Sequence, residues 1–249
     1  MLFRAGLLLF ASMLLVPALA AQESPRTKPP ESADEPTALP PAGVERIDEH
    51  RYRLGGIEFD SRAREIRLPA VVNLREGGPM EYLLVHGSGK VHESILATEV
   101  SPMQLQIVLK LLRYRTGHGD VFDRFLPAEA VEKEGGKPED RGETVSLFFQ
   151  PEGAKEIPAH ELVLDAETMQ AMVPGGWICT GSYMEERNFV AEAEGSIVAI
   201  YLDPGALFNT TRDGAETDER WGARESAIPP VGTRGTFVIR AAAKTEAKE

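Results

Sequence analysis

Short runs of alternating apolar and polar residues dominate the chain from Tyr52 onward. In Tyr52–Asp60 (YRLGGIEFD), Ile57 and Phe59 alternate with polar neighbours. In Arg64–Leu74 (REIRLPAVVNL), Ile66 and Leu68 do the same. A period of two marks a half-buried strand, and Asp60-Ser61-Arg62-Ala63 is the turn between the two runs. Pro69 inside the second run predicts an edge strand or a bulge. Met80–Ala97 reads as a hairpin turning through Gly87-Ser88-Gly89-Lys90, where glycine supplies the positive φ of a tight turn. Further strands are expected at Thr144–Gln150 (TVSLFFQ), within Ile157–Leu164, at Trp177–Ser182 and at Gly235–Arg240 (GTFVIR). Asn188–Glu192 and Ser196–Leu202 read as a second hairpin, turning at Glu194-Gly195.

The period changes once over a long stretch. Ser101 is a helix N-cap, Pro102 occupies the first helical position, and Gln104 follows the serine by three, a capping-box spacing. Leu105, Val108, Leu109 and Leu112 form one apolar stripe. Met103, Ile107 and Leu111 widen it, so a heavily buried helix is expected over about 101–115. Arg113 and Arg115 suit its negative end, and Gly117 and Gly119 end it. Asp165–Met172 and Gly205–Asn209 read as short helical segments capped by Asp165 and by Asp203-Pro204. Asp120–Arg141 reads as an irregular excursion. The expected fold class is α+β: a mostly antiparallel sheet with one substantial buried helix and short helical segments.

Composition adds a compartment. Arg4, the apolar run Leu7–Val16, Pro17 and Ala18-Leu19-Ala20 make residues 1–20 a signal peptide, with a retained anchor as the alternative. Residues 21–48, rich in proline and glutamate, form a disordered linker. Residues 49–240 form one globular domain, and residues 241–249 a flexible tail. Once the signal is removed no transmembrane span remains, and the protein is expected to be periplasmic or secreted. A net charge of −12 argues against nucleic acid as a partner. Cys179 is the only cysteine, so no internal disulfide can form, and a buried strand position suits a lone thiol.

Reactive side chains cluster at His86, Lys90, His92, Glu93 and Ser94. Pairing as a hairpin would set His86 opposite Val91, Leu84 opposite Glu93 and Tyr82 opposite Ile95, with His92 and Ser94 on the other face. His92 and Ser94 could then hydrogen-bond. A Cβ separation of about 6.5 Å, from two residues rising about 3.3 Å each, is a poor start for a catalytic triad. A metal site would draw on His86, His92 and Glu93, with His118 or His160 as further ligands. However, His92 and Glu93 point to opposite faces, and no H-E-x-x-H helix is present. The plainer reading has His92, Glu93 and Ser94 bonding the strand end to the helix start. Lys90 is then a turn charge, Asp203 a cap, and Asn209-Thr210-Thr211 a glycosylation sequon.

GIEFDSRAREIRLPAVVNLREG, EYLLVHGSGKVHESILATEVSP, CTGS and GSIVAIYLDPGALFN together resemble the YdjY-type domain of exported bacterial proteins, from about Gly55 to Ile239. Lys90–Ser94 and Gly195–Pro204 are the most specific stretches. Some members of that family are labelled ferredoxin-like iron–sulfur proteins. Such a cluster needs several cysteine thiolates, and this chain has one; no cofactor is assigned. The resemblance carries no established biochemistry; polar side chains on strands that should otherwise be apolar point to a binding or accessory module of the cell envelope, with an envelope protein or a small molecule as ligand. The candidate binding residues are Lys90, His92, Glu93, Ser94, Thr180, Ser182 and Asp203. The alternatives are a metal-dependent or serine-type hydrolase using Lys90–Ser94, and a purely structural interaction protein. A hydrolase requires His92, Glu93 and a third polar group to converge. A structural role requires His92 and Glu93 to be buried and hydrogen-bonded.

Overall fold

A computed structural model describes residues 43–117, 142–217 and 219–242, all within the unit Pro40–Glu249. The signal peptide, most of the linker, His118, Gly119, the excursion up to Arg141 and most of the tail lie outside the described residues.

The chain begins as an antiparallel meander of β1 (Val44–Arg46), β2 (Arg51–Leu54), β3 (Ile57–Asp60) and β4 (Glu65–Val72). Next come β5 (Tyr82–His86), β6 (Ser94–Thr98), α1 (Pro102–Leu111), β7 (Thr144–Pro151) and the short β8 (Ile157–Pro158). β9 (Val163–Asp165), β10 (Gln170–Ala171), β11 (Trp177–Cys179), β12 (Met184–Glu185) and β13 (Asn188–Phe189) lead to α2 (Val190–Glu194). β14 (Ser196–Ala199), β15 (Phe208–Thr210), β16 (Trp221–Ala223) and β17 (Arg234–Ala241) follow. Eight of these strands close a ring in the order β4-β17-β7-β11-β15-β14-β5-β6. The ring returns to β4 through Val71 opposite Ala97 and Val72 opposite Leu96.

The α+β expectation is therefore wrong. The fold is a closed eight-stranded β-barrel, and the described residues hold two short helices. The start of α1 is as expected, since the Ser101 hydroxyl accepts the Gln104 N–H at 3.2 Å. Its length and burial are not. The helix stops at Leu111 because Arg113 turns left-handed at φ 56°. Met103, Ile107 and Leu111 are 36%, 41% and 36% exposed, so only the inner stripe Leu105, Val108 and Leu109, continued by Leu112 just past the helix, enters the core. Asn188–Glu192 is largely helical: Val-Ala-Glu-Ala-Glu fits either period, and Gly195 at φ 74° ends the helix. Asp165–Met172 is not helical: Asp165 ends β9, residues 166–169 turn, and Gln170–Ala171 form β10, with the Asp165 carboxylate accepting the Glu167 N–H at 3.0 Å.

The central hairpin is also corrected. β5 and β6 pair in parallel, Tyr82 opposite Ser94 and Leu84 opposite Leu96. After the turn, one 3₁₀ turn at Val91–Glu93 carries the chain back to the start of β5. This return is shorter than the usual crossover of about a dozen residues. It is possible because Gly89 lies against the Glu194-Gly195 backbone, where an added Cβ would stand 2.7 Å from the Glu194 carbonyl oxygen.

Pro69 sits inside the barrel wall, flanked throughout by β17 on one side. On the other side the β3 ladder ends at Arg67 and the β6 ladder starts at Val71. Val72 N–H points to Thr233 and Asn73 N–H to Ile95, so alternation aims the Pro69 nitrogen into that gap. No ladder donor is lost there.

β17 supplies the centre of the interior. Phe237 lies between Leu68 and Phe149, and Ile239 between Ile66 and Leu147; all six are buried in one cluster. Cys179 is buried in β11, as its setting predicted. Among the described residues no helix is long and apolar enough to cross a membrane.

Candidate functional site

Tyr82 is the hub of the polar groups that the barrel brings together. Its strand, β5, lies beside β14, and β14 lies beside β15. The short return through Gly89 places Lys90 over the Tyr82 phenol. Lys90 Nζ donates to Tyr82 Oη at 2.7 Å, and the phenol donates to Asp203 Oδ2 at 2.8 Å. Asp203 Oδ1 accepts the Gly205 N–H at 2.7 Å, so Asp203 is indeed a turn cap.

Asn209, in β15 and fully buried, fixes that aspartate from behind. Its Oδ1 accepts the Asp203 N–H at 3.0 Å, and its Nδ2 donates to the Asp203 carbonyl at 2.9 Å and to Thr180 Oγ1 at 3.0 Å. The Thr180 hydroxyl donates to the Ala206 carbonyl at 3.0 Å. The result is a hydrogen-bonded chain from Lys90 at the surface to Thr180 in the interior. Lys90 also stands 3.9 Å from Glu194, and both side chains are well exposed, at 38% and 46%. Such a pair contributes little to stability.

The Tyr82 ring packs with Val85, Ala199 and Ala206 in an apolar cluster apart from the main core. Burial pushes its phenol far above the ordinary tyrosine range, and the Asp203 charge adds to the rise. Buried Ser196, on β14, acts in the opposite sense; its Oγ lies beside the phenol but makes no hydrogen bond of good geometry. Tyr82 therefore keeps its proton near neutral pH. Both Asp203 oxygens are occupied, and no histidine joins the chain. The arrangement holds a cationic donor at the surface, with the Asp203 carboxylate turned inward onto the Tyr82 phenol and the Gly205 N–H.

Of the expected site residues, the barrel unites Lys90, Asp203 and Thr180. It separates the others. His92, on the 3₁₀ turn, has a side chain 77% exposed and a contact of 3.7 Å to Glu93. Ser94 is fully buried, and its hydroxyl is used on the Leu96 carbonyl at 2.8 Å. A serine nucleophile served by His92 is thus ruled out by position. Ser182 accepts the Ala191 N–H at 3.1 Å and steadies α2. His86 Nδ1 pairs with Ser88 Oγ at 2.7 Å on the turn. Among the described residues no three or more His, Cys, Asp and Glu side chains converge as a metal site. The requirement that a structural role bury His92 is not met either. His92→Ala is expected to change unfolding free energy by less than about 0.5 kcal/mol, readable by urea denaturation.

Sequence reasoning missed Tyr82, Glu194, Ser196 and Asn209. Tyr82 is hidden among apolar neighbours that look like plain packing. Asn209 reads as a sequon, yet its amide is enclosed and fully engaged, so the folded chain cannot present it to a glycan donor. One signal was available: Lys90, Ser196 and Asp203 all fall in the two most specific stretches of the resemblance. Comparison with protein-family models, with curated proteins and with solved structures finds no match.

Proposed function

We propose that the chain is an exported, YdjY-type binding or accessory module of the cell envelope, which holds a ligand at the Lys90 ammonium. The observation that carries this reading is the Lys90–Tyr82–Asp203–Asn209–Thr180 chain. Its inner members are locked, while Lys90 keeps donors free to face solvent. A pre-set donor of this kind binds acceptor-rich ligands with little ordering cost. The signal-like residues 1–20 support export, and the two stretches that meet at Tyr82 support the family. The Asp203 carboxylate is turned onto the Tyr82 phenol and the Gly205 N–H, and no histidine or serine nucleophile joins it among the described residues, which favours the binding reading. The net charge of −12 weighs against nucleic acid.

The test is titration of the isotopically labelled protein with soluble muropeptides, whose carboxylates and amides suit the Lys90 donors. Saturable amide shifts at Tyr82, Lys90, Glu194 and Asp203 are expected, with loss of those shifts in Lys90→Met. That variant should stay within about 1 kcal/mol of the parent in stability. Absence of shifts at these residues would count against the reading. Turnover of the muropeptide that depends on Lys90 would replace it with a hydrolase.

A further inference from the structure

Arg212 lies in the segment after β15, beneath the exposed loop 173–176, and is 8% exposed. Its guanidinium is held on three sides. Nε donates to the Val173 carbonyl at 2.8 Å. Nη1 donates to Thr210 Oγ1 at 2.6 Å and to the Gly176 carbonyl at 3.3 Å. The guanidinium carbon stands 4.7 Å from the centre of the Trp177 ring. On the remaining side, Nη2 is buried and donates to no described residue.

This is out of keeping with the rest of the molecule. Arg64 pairs with Glu143, Arg220 with Asp165, Arg224 with Glu161, and Arg240 with Glu65 and Glu156. Each of those arginines is more exposed than Arg212. No described carboxylate forms an ion pair with Arg212, although the chain carries 39 acidic residues. A buried guanidinium without a counter-charge is costly, and burial draws this one down to about 10, so it remains charged at neutral pH. A histidine lies within electrostatic reach of the same guanidinium. His160, in the 3₁₀ turn Ala159–Leu162, is held below its ordinary pKa by burial and by the charge of Arg212, with Glu161 acting in the opposite sense.

The geometry points to an oxyanion site: a carboxylate or phosphate group of a ligand docks on Arg212 Nη2, with loop 173–176 as its cover. Nη2 carries two N–H donors, and each can form a charge-assisted hydrogen bond to either group. The cover is thinly packed at its crest, with Val173 62% exposed and open space beside Gly175; it is tied down by the Val173 and Gly176 carbonyls on Arg212 and by the Thr211 N–H on Gly176.

The test follows the Arg212 Nε–H resonance of the full chain during titration with sodium phosphate or sodium acetate, against sodium chloride at equal ionic strength. A saturable shift with phosphate alone assigns a phosphoryl ligand, and one with acetate alone a carboxylate; both salts acting assigns an unselective oxyanion site. Arg212→Gln should weaken the response, followed at the Trp177 indole N–H, by roughly tenfold or more, the equivalent of one charge-assisted hydrogen bond. If that variant does not fold, the parent titration decides alone. Equal behaviour in all three salts overturns the proposal and leaves Arg212 as a clamp on the loop. This site is separate from Lys90, so either can fail without the other.

Discussion

Phe237→Ala is expected to destabilise the barrel by about 3–5 kcal/mol, the range for truncating a large aromatic in a packed core. Phe237 has no exposed surface and lies in register with Leu68 on β4 and Phe149 on β7. β7 is itself paired at this level, Phe149 opposite Ile157 on β8, and β4 is anchored above and below Leu68 by β3 up to Arg67 and by β6 from Val71, so neither can readily collapse into the space left by the ring. The cavity term therefore adds nearly in full to the lost transfer energy. Urea denaturation reads this as a lower midpoint with an unchanged slope. Phe148 is the control. It is next in sequence to Phe149 but points the other way, half-buried under the Arg240 guanidinium at 4.9 Å. Phe148→Ala should cost about 1 kcal/mol. Equal costs at the two positions would show that the inward and outward faces of the wall have been misassigned.

Asn209→Ala is the second large effect, expected at about 3 kcal/mol or more. Burial of the apolar part of Asn209 is small; the loss comes from stranded partners. The Asp203 N–H and the Asp203 carbonyl both rely on the Asn209 amide, and a buried polar group left without its partner costs about 1–3 kcal/mol. Asn209→Asp keeps the acceptor for the Asp203 N–H but sets a carboxylate against the Asp203 carbonyl and Thr180 Oγ1. It should be no better than alanine. Release of Asp203 would also loosen the Tyr82 phenol and, through it, Lys90. Loss of stability and loss of the Lys90 amide position should therefore appear together in spectra of the variants. A variant that unfolds at the parental midpoint would show the clasp around Asp203 to be dispensable.

Local pattern reached the strands but not their closure. Ile57 with Phe59 and Ile66 with Leu68 announce β3 and β4 by period alone, and the Ser101 cap announces α1. The pairing of Val71 with Ala97 and of Phe237 with Phe149 joins segments whose register no local signal carries. Gly87-Ser88-Gly89 does make a tight turn, but the direction afterwards depends on Gly89 meeting Gly195, far along the chain. The burial of α1 was overread because Met103, Ile107 and Leu111 are apolar, and apolar residues also populate surfaces. At the site, Lys90, Thr180 and Asp203 were recognisable by residue type. Tyr82 and Asn209 were not, since one sits in an apolar run and the other in a motif with a different meaning.

β17 comes last of the eight ring strands along the chain, yet it lies between β4 and β7. During synthesis those two strands must wait with facing edges unpaired until residues 234–241 emerge. An unpaired edge is a template for other chains, and the pairing that removes it is of the slow, long-range kind. The growing polypeptide is thus an open ribbon that chaperones can hold and that can still be threaded. The ring can close only once that single strand has arrived.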